Sequence, residues 1–365
     1  MKNKILFLLK TPPPITGATL MNKRVCVSKY LNHEHDIHTI EISYNKTVSG
    51  FGKLNPLKAI KFIKILFSLI YQLLRYRPHL VYFQISPTGI SFLRDTIFVI
   101  LIKLFRIKLA FHLRGKGIKN KIKNNSILRN YYKWIFKNIS VICLSELLTY
   151  DIADIFTGTP FVVYNGMPEF NFICEKKTEK KVNILYLSNL IKEKGVLDYI
   201  DTLSILNTKG FDFTGTIVGE ESDITKEYLL HYISKKGLSN RIVYRGSKYN
   251  DDKFKEYCTA DIFLFPTYYS VEAFPGVVLE AMQFGLPVIA TNEASIPIII
   301  DDNKTGFLVD PKSPSQIAEK LEMLINNPNL RKEMGERGKE KFFKNFTFEI
   351  FEKNLSSTFD KILKK

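Results

Sequence analysis

The chain has 365 residues, 45% of them hydrophobic and 13% aromatic, which excludes a disordered polymer and leaves room for two domains of ordinary size. Its formal charge is +17, all of it in the first half: residues 1–170 hold 25 Lys+Arg against 8 Asp+Glu, and residues 171–365 hold 28 of each. A solubility effect has no reason to choose one half, whereas a half that meets an anionic surface does; zinc-finger spacing, RNP aromatics and basic-region heptads are absent, so a nucleic-acid partner is not expected.

The opening MKNKILFLLK is apolar only over 5–9 before Lys10 interrupts, too short for the hydrophobic part of a signal peptide, and reads as a buried first strand. Gly17-Ala18 then punctuate TPPPITGATLMNK, where Thr19 and Leu20 begin a helix; a glycine after a strand lets a ligand approach the backbone, though most such glycines are simply turns. His33, Glu34, His35 and Asp36 are consecutive, so their side chains do not converge on a metal as they would at i,i+4 spacing, and the stretch reads as a loop between helix and strand. The segment 53–77 is an amphipathic helix. Lys58, Lys61 and Lys64 recur on one side, and Ile60, Ile63, Phe67, Ile70 and Leu74 on another. Such a helix either lies in a membrane interface with its cations toward lipid heads or packs on its own sheet with its lysines solvated. No segment reaches the ~18 uncharged apolar residues that span a bilayer: 62–74 is broken by Lys64, and 96–102 is flanked by Arg94, Asp95 and Lys103.

Further strands are expected at 37–42, 80–85, 108–113, 141–144 and 161–164 in the first half. His112 ends the strand in LAFHLRGKG, followed by Arg114; on the residues alone it reads as structural. Ser145 before Glu146 reads as a helix cap and Asn165-Gly166 as a turn. The polar stretch NFICEKKTEKK at 171–181 is the expected linker. In the second half strands are expected at 183–187, 213–218, 242–245, 262–265, 287–290 and 306–309, with helices between them, as at 195–207 and 315–326. This alternation marks βαβ units and parallel sheets. Cys26, Cys143, Cys174 and Cys258 show no C-x-x-C and no paired spacing, which suits a reducing cytosol without disulfides.

Two stretches carry the chemistry. Lys194 closes LYLSNLIKEKG at the first strand-to-helix turn of the second half, where open α/β sheets bind ligands. Taken alone, it reads as a solvated loop lysine. Glu272 and Glu280 bracket EAFPGVVLE: Pro275 and Gly276 form a turn, 277–282 an amphipathic helix, and Gly285 a stop before a buried strand. Glu272 then lies in the loop before the helix and Glu280 on it, about two turns later. The free N–H groups of that helix start form a site for a diphosphate.

This segment resembles the E-x7-E signature of retaining glycosyltransferases of the GT-B fold, family 4, and ADIFLFPTYYSVEAFPG resembles that family's strand and loop; the resemblance extends over essentially the whole chain. It implies an α/β protein of two Rossmann-like domains whose parallel sheets face each other across a cleft. An acceptor-binding domain would occupy 1–170, the linker 171–181, and a nucleotide-sugar-binding domain 182–345, with a C-terminal helix in 346–365 crossing back to the first domain. It further implies transfer of a sugar from a UDP- or GDP-sugar to a saccharide hydroxyl, with retention and with no cofactor or metal required, since no D-x-D is present. By the same resemblance Glu280 holds the ribose, while Lys194, Asn189 and the helix start at Phe274, Pro275 and Gly276 hold the diphosphate. Glu272 contacts the transferred sugar, His112 orients it, and Gly17 and Arg114 assist with phosphate. Two departures stand out. Ser188-Asn189 replaces the Gly-Arg of the phosphate-binding G-R-x-x-x-x-K-G pattern, leaving an amide where a charge is usual, and a Gly-Gly is reduced to Gly17. With the basic first half, the expected setting is peripheral, on the cytoplasmic face of a bacterial membrane, with a polyprenyl-diphosphate-linked acceptor and a surface polysaccharide as product. An epimerase or hydrolase of the same fold, or a basic nucleic-acid-binding protein, are the rival readings.

Overall fold

The computed structural model describes residues 2–13, 16–43, 56–174 and 181–364. These fall into two compact units, 1–166 with 348–365 and 167–347. The first unit ends at Gly166, four residues before the expected 170, because the next segment is held by the second unit: the Met167 N–H donates to the Phe346 carbonyl and the Phe170 ring lies 4.2 Å from that of Phe254. Of the expected linker, 175–180 lies outside the described residues.

In the first unit β1 (Lys4–Lys10), α1 (Gly17–Cys26), α2 (Lys29–Glu34), β2 (Asp36–Ile42), α3 (Pro56–Arg75), β3 (Leu80–Phe83), α4 (Gly89–Leu104), β4 (Lys108–Leu113), α5 (Ile118–Ile122), α6 (Ser126–Phe136), β5 (Ser140–Cys143) and β6 (Phe161–Val162) follow one another. The strands pair in parallel in the order β2-β1-β3-β4-β5-β6. Continuous apolar runs such as KILFLLK and LVYF suit strands buried on both faces. One face packs Leu69 and Leu73 of α3, Phe98 and Ile102 of α4 and Ile135 of α6; the other packs Met21 and Val25 of α1 with Phe351, Leu355 and Phe359.

The second unit runs β7 (Val182–Leu187), α7 (Val196–Thr208), β8 (Phe213–Val218), α8 (Lys226–Lys235), β9 (Ile242–Tyr244), α9 (Asn250–Thr259), β10 (Ile262–Phe265), α10 (Gly276–Gln283), β11 (Val288–Thr291), α11 (Ile296–Ile299), β12 (Gly306–Val309), α12 (Pro314–Asn326) and α13 (Pro328–Asn345), before α14 (Phe348–Lys364) returns the chain to the first unit's core. Its strands are again parallel, in the order β12-β11-β10-β7-β8-β9. Strand order therefore reverses between β7 and β10, and in such sheets a ligand crevice opens beyond the strand ends at the reversal.

The expected strands all form, with ends that differ by at most two residues. Three expectations need correction. Cys174 and Cys258 are joined by a disulfide, their Cα atoms 5.3 Å apart; they are 84 residues apart in sequence, so spacing carried no sign of it. The HEHD stretch is no loop: His33 and Glu34 finish α2, Asp36 opens β2, and buried His35 bonds Ser356 of α14 through Nε2 at 2.8 Å. In α3 the anticipated apolar row of Ile60, Ile63, Phe67 and Leu74 faces outward, while Leu69 and Leu73 with Phe62, Ile65 and Leu66 pack on the sheet. Residues 53–55 of the expected helix lie outside the described residues.

Candidate active site

Lys194 sits where the sheet order reverses. After β7 the chain makes a single 3-10 turn, Lys192–Lys194, and Gly195 then takes φ +85° to start α7. A Cβ on Gly195 would lie 2.1 Å from the carbonyl oxygen of Pro266, just past β10, so only glycine lets these two strand exits approach. The turn is stitched to the loop after β10. The Glu193 carbonyl accepts from the Tyr268 N–H at 2.8 Å, and its carboxylate accepts from the Ser270 N–H at 3.1 Å. That stitching carries Glu272 to Lys194, and the two form an ion pair with both side chains largely buried. The ammonium also lies 4.7 Å from the Tyr269 ring centroid and 5.6 Å from that of Phe265, an aromatic box that favours a cation. Burial, then the Glu272 charge, pushes the Tyr269 hydroxyl above its ordinary range, so it stays a neutral donor.

α10 begins at Gly276, with Pro275 as its extended cap residue rather than inside the first turn. No side chain caps this end and no acid lies in the first turn; the Val278 N–H donates to the Pro275 carbonyl at 3.3 Å, which leaves the first two N–H groups, of Gly276 and Val277, as those suited to an anion. Phe274 is buried with its ring 5.9 Å from that of Phe346. A Cβ on Gly276 would come 3.1 Å from the Met167 methyl. Glu280, about one turn further along the helix, accepts from Lys253 Nζ at 2.6 Å and from the Tyr257 hydroxyl at 2.8 Å. Both partners come from α9. A carboxylate offers about four lone-pair directions, so two remain for further donors such as ribose hydroxyls. Burial, then Glu280, keeps the Tyr257 hydroxyl well above its ordinary range. Asn189 is exposed in the loop after β7, and its carbonyl accepts from the Ile191 N–H at 2.7 Å. Exposed Lys192 opens the 3-10 turn, its N–H held by Asp223 at 2.9 Å.

The remaining sequence-derived residues belong to the first unit. His112 ends β4, fully buried, with Nδ1 hydrogen-bonded to the Tyr82 hydroxyl. Arg114 Nη2 donates to the same hydroxyl oxygen at 3.5 Å; a Tyr82 proton directed at Nδ1 would place the ring proton on Nε2. That nitrogen is buried with no partner among the described residues. Burial, then the Arg114 charge, holds His112 well below its ordinary pKa, so the ring is neutral. Arg114 also donates from Nη1 to Asn165 Oδ1, so the supposed turn residue is part of this network. Gly17 is the first residue of α1, exposed, with open space around it. Sequence reading missed Tyr82, Lys253 and Tyr257, which reach their partners from other elements. The hydroxyls of two fully buried tyrosines were the available signal, since such groups need partners.

Residues 169–341 match the family model described as glycosyl transferases group 1. The matched stretch lies wholly within the second unit, 167–347. The chain is 29% identical over 199 residues to the capsular polysaccharide biosynthesis glycosyltransferase CapM of Staphylococcus aureus, a match covering 52% of this chain and 50% of the relative. It thus spans about half the length of that curated relative. Among solved structures, a glycosyltransferase from Rickettsia africae shares the fold at TM-score 0.76 and 20% identity, covering 100% of this chain and 99% of that one. Alr3699/HepE of Anabaena, solved with UDP and glucose, does so at TM-score 0.72 and 18% identity over 98% and 99%. The architecture is the α/β GT-B fold, two Rossmann-like units with a six-stranded parallel sheet each.

Proposed function

We propose that the chain is a retaining, metal-independent glycosyltransferase that moves a sugar from a nucleoside-diphosphate sugar to a saccharide hydroxyl. The observation that carries this is the convergence of Lys194, Glu272 and the free N-terminus of α10 beside the reversal of the second sheet. In this reading the diphosphate lies against the α10 N–H groups and Lys194, which exchanges its bond to Glu272 for phosphate oxygens. The carboxylate so released contacts the sugar hydroxyls. The ribose sits on Glu280, whose orientation Lys253 and Tyr257 fix. For His112 as a residue that orients the sugar, and for Arg114 and Gly17 as phosphate helpers, the support is the family resemblance alone.

Chemically, the bond between the anomeric carbon and the leaving phosphate oxygen breaks as the acceptor oxygen bonds that carbon from the same face. The departing phosphate takes the acceptor's proton. Lys194 and the helix N-terminus stabilise the charge growing on that phosphate, and positioning supplies the rest. UDP and glucose in Alr3699/HepE support a nucleotide-sugar donor, and the name of CapM supports a surface polysaccharide as the product; a lipid-linked acceptor is the proposal's own addition.

The test is release of nucleoside diphosphate from a panel of UDP- and GDP-sugars, with and without saccharide acceptors. Acceptor-dependent release with a retained anomeric configuration supports the proposal. Release that ignores every acceptor and returns an isomerised or free sugar favours an epimerase or hydrolase instead.

A further inference from the structure

The helices of the first unit carry more apolar surface than their own sheet uses. α3, α4 and α6 lie side by side on one sheet face: Phe62 of α3 meets Phe98 of α4 at 5.1 Å between ring centroids, and Phe92 of α4 stacks on Tyr132 of α6 at 4.0 Å. Their inward sides fill the core. On the outward side of α3, Ile60, Ile63, Phe67, Tyr71 and Leu74 form a row at steps of three and four, each about half exposed or more. On α4, Ile90, Leu93, Ile97, Ile100 and Leu104 form a second such row, between 37% exposed at Ile100 and 74% at Leu104. Trp134 at the end of α6 is half exposed, and Lys103 of α4 ties to it, donating to its carbonyl at 3.0 Å. A helix packed on a globular core ordinarily shows one apolar stripe; α3 and α4 each show two.

The charges on these helices select the partner. The three together carry eight Lys and Arg residues and a single acid, Asp95. That carboxylate is fully buried, held by Lys10 at 2.7 Å and Arg94 at 2.6 Å. The outward surface therefore presents rows of aliphatic and aromatic side chains among cations, with no carboxylate from these helices. A second copy would set like charges against each other. A sheet of apolar chains topped by anions matches both components.

We propose that this outer face of α3, α4 and α6 docks on an anionic lipid bilayer, the aliphatic rows entering the headgroup–acyl boundary and Lys61, Lys64 and their neighbours meeting the phosphates. The inference does not rest on the transferase reading and stands or falls separately from it.

Cosedimentation of the full chain with vesicles of mixed phosphatidylglycerol and phosphatidylcholine, against phosphatidylcholine alone, tests it at low and high salt. Binding to the anionic vesicles is expected and should weaken at high salt. Phe67→Glu and Leu104→Glu, one in each row, should each lower vesicle affinity by about tenfold or more. Lys61→Ala with Lys64→Ala should lower it by roughly fivefold per charge. Because these side chains are exposed, the variants should melt as the parent does, and Phe67→Ser offers a milder change should a glutamate perturb folding. Absence of binding to anionic vesicles overturns the proposal, as does binding that the row substitutions leave unchanged. A dimer that Phe67→Glu dissociates, with no vesicle binding, would assign the face to self-association instead.

Discussion

Lys194 and Glu272 form an ion pair, and that pairing sets what each substitution should do. Glu272→Gln keeps the shape and a hydrogen-bonding group but removes the charge that faces the sugar in the proposed mechanism. Turnover should fall by about 10²–10³ while donor affinity changes little; steady-state rates beside direct donor titration separate the two. Activity near the parent's would remove Glu272 from the mechanism. His112 makes a different prediction. Its pKa is lowered on folding from an ordinary 6.5, so the unfolded chain takes the proton more readily. The ring's contribution to stability is complete above 6.5 and is lost as pH falls below it. The melting temperature should drop between neutral and mildly acid pH, and His112→Gln should flatten that slope; an unchanged slope would show that His112 is not the group responsible. Lys194, Glu272 and Glu280 were legible because chain order places them at strand ends and around one helix start. Lys253 and Tyr257 were not, because α9 supplies them and nothing in EAFPGVVLE indicates which helix packs beside it.

At the scale of elements, the turn from β7 into α7 holds the site together. Gly195→Ala places a side chain in the left-handed region and against the Pro266 carbonyl, with a conformational cost of about 1–2 kcal/mol before any clash is counted. Unfolding in denaturant should show a loss of roughly 2 kcal/mol or more, and Lys194 should be displaced with it. A variant as stable as the parent would mean that this close approach is relaxed in solution. The strands were legible in the sequence because continuous apolar runs bounded by polar stretches have few alternatives in a doubly covered sheet. α3 was harder. With apolar residues at both 60, 63, 67, 74 and 62, 65, 66, 69, 73, periodicity identifies a helix but not which stripe meets the sheet. Cys174 and Cys258 were misjudged because a linker residue and one on α9 become neighbours only in the folded second unit.

Taken whole, the two proposals divide the molecule's tasks along with its charge. The basic half contains the cation-edged apolar face of α3, α4 and α6, and the neutral half contains the E-x7-E segment and the sheet reversal beside it. Neutrality in the second half does not weaken the proposal that it binds an anion, because the proposed contacts are local: one lysine, which would exchange its Glu272 partner for phosphate, and one helix start. The account's central claim is that these two features grip a nucleoside diphosphate. Calorimetric titration of the full chain with UDP and with GDP, repeated on Lys194→Ala, tests that most directly. At least one nucleotide should bind, and the substitution should weaken it by about tenfold or more. Binding of neither nucleotide, or equal affinity for parent and variant, would contradict the claim.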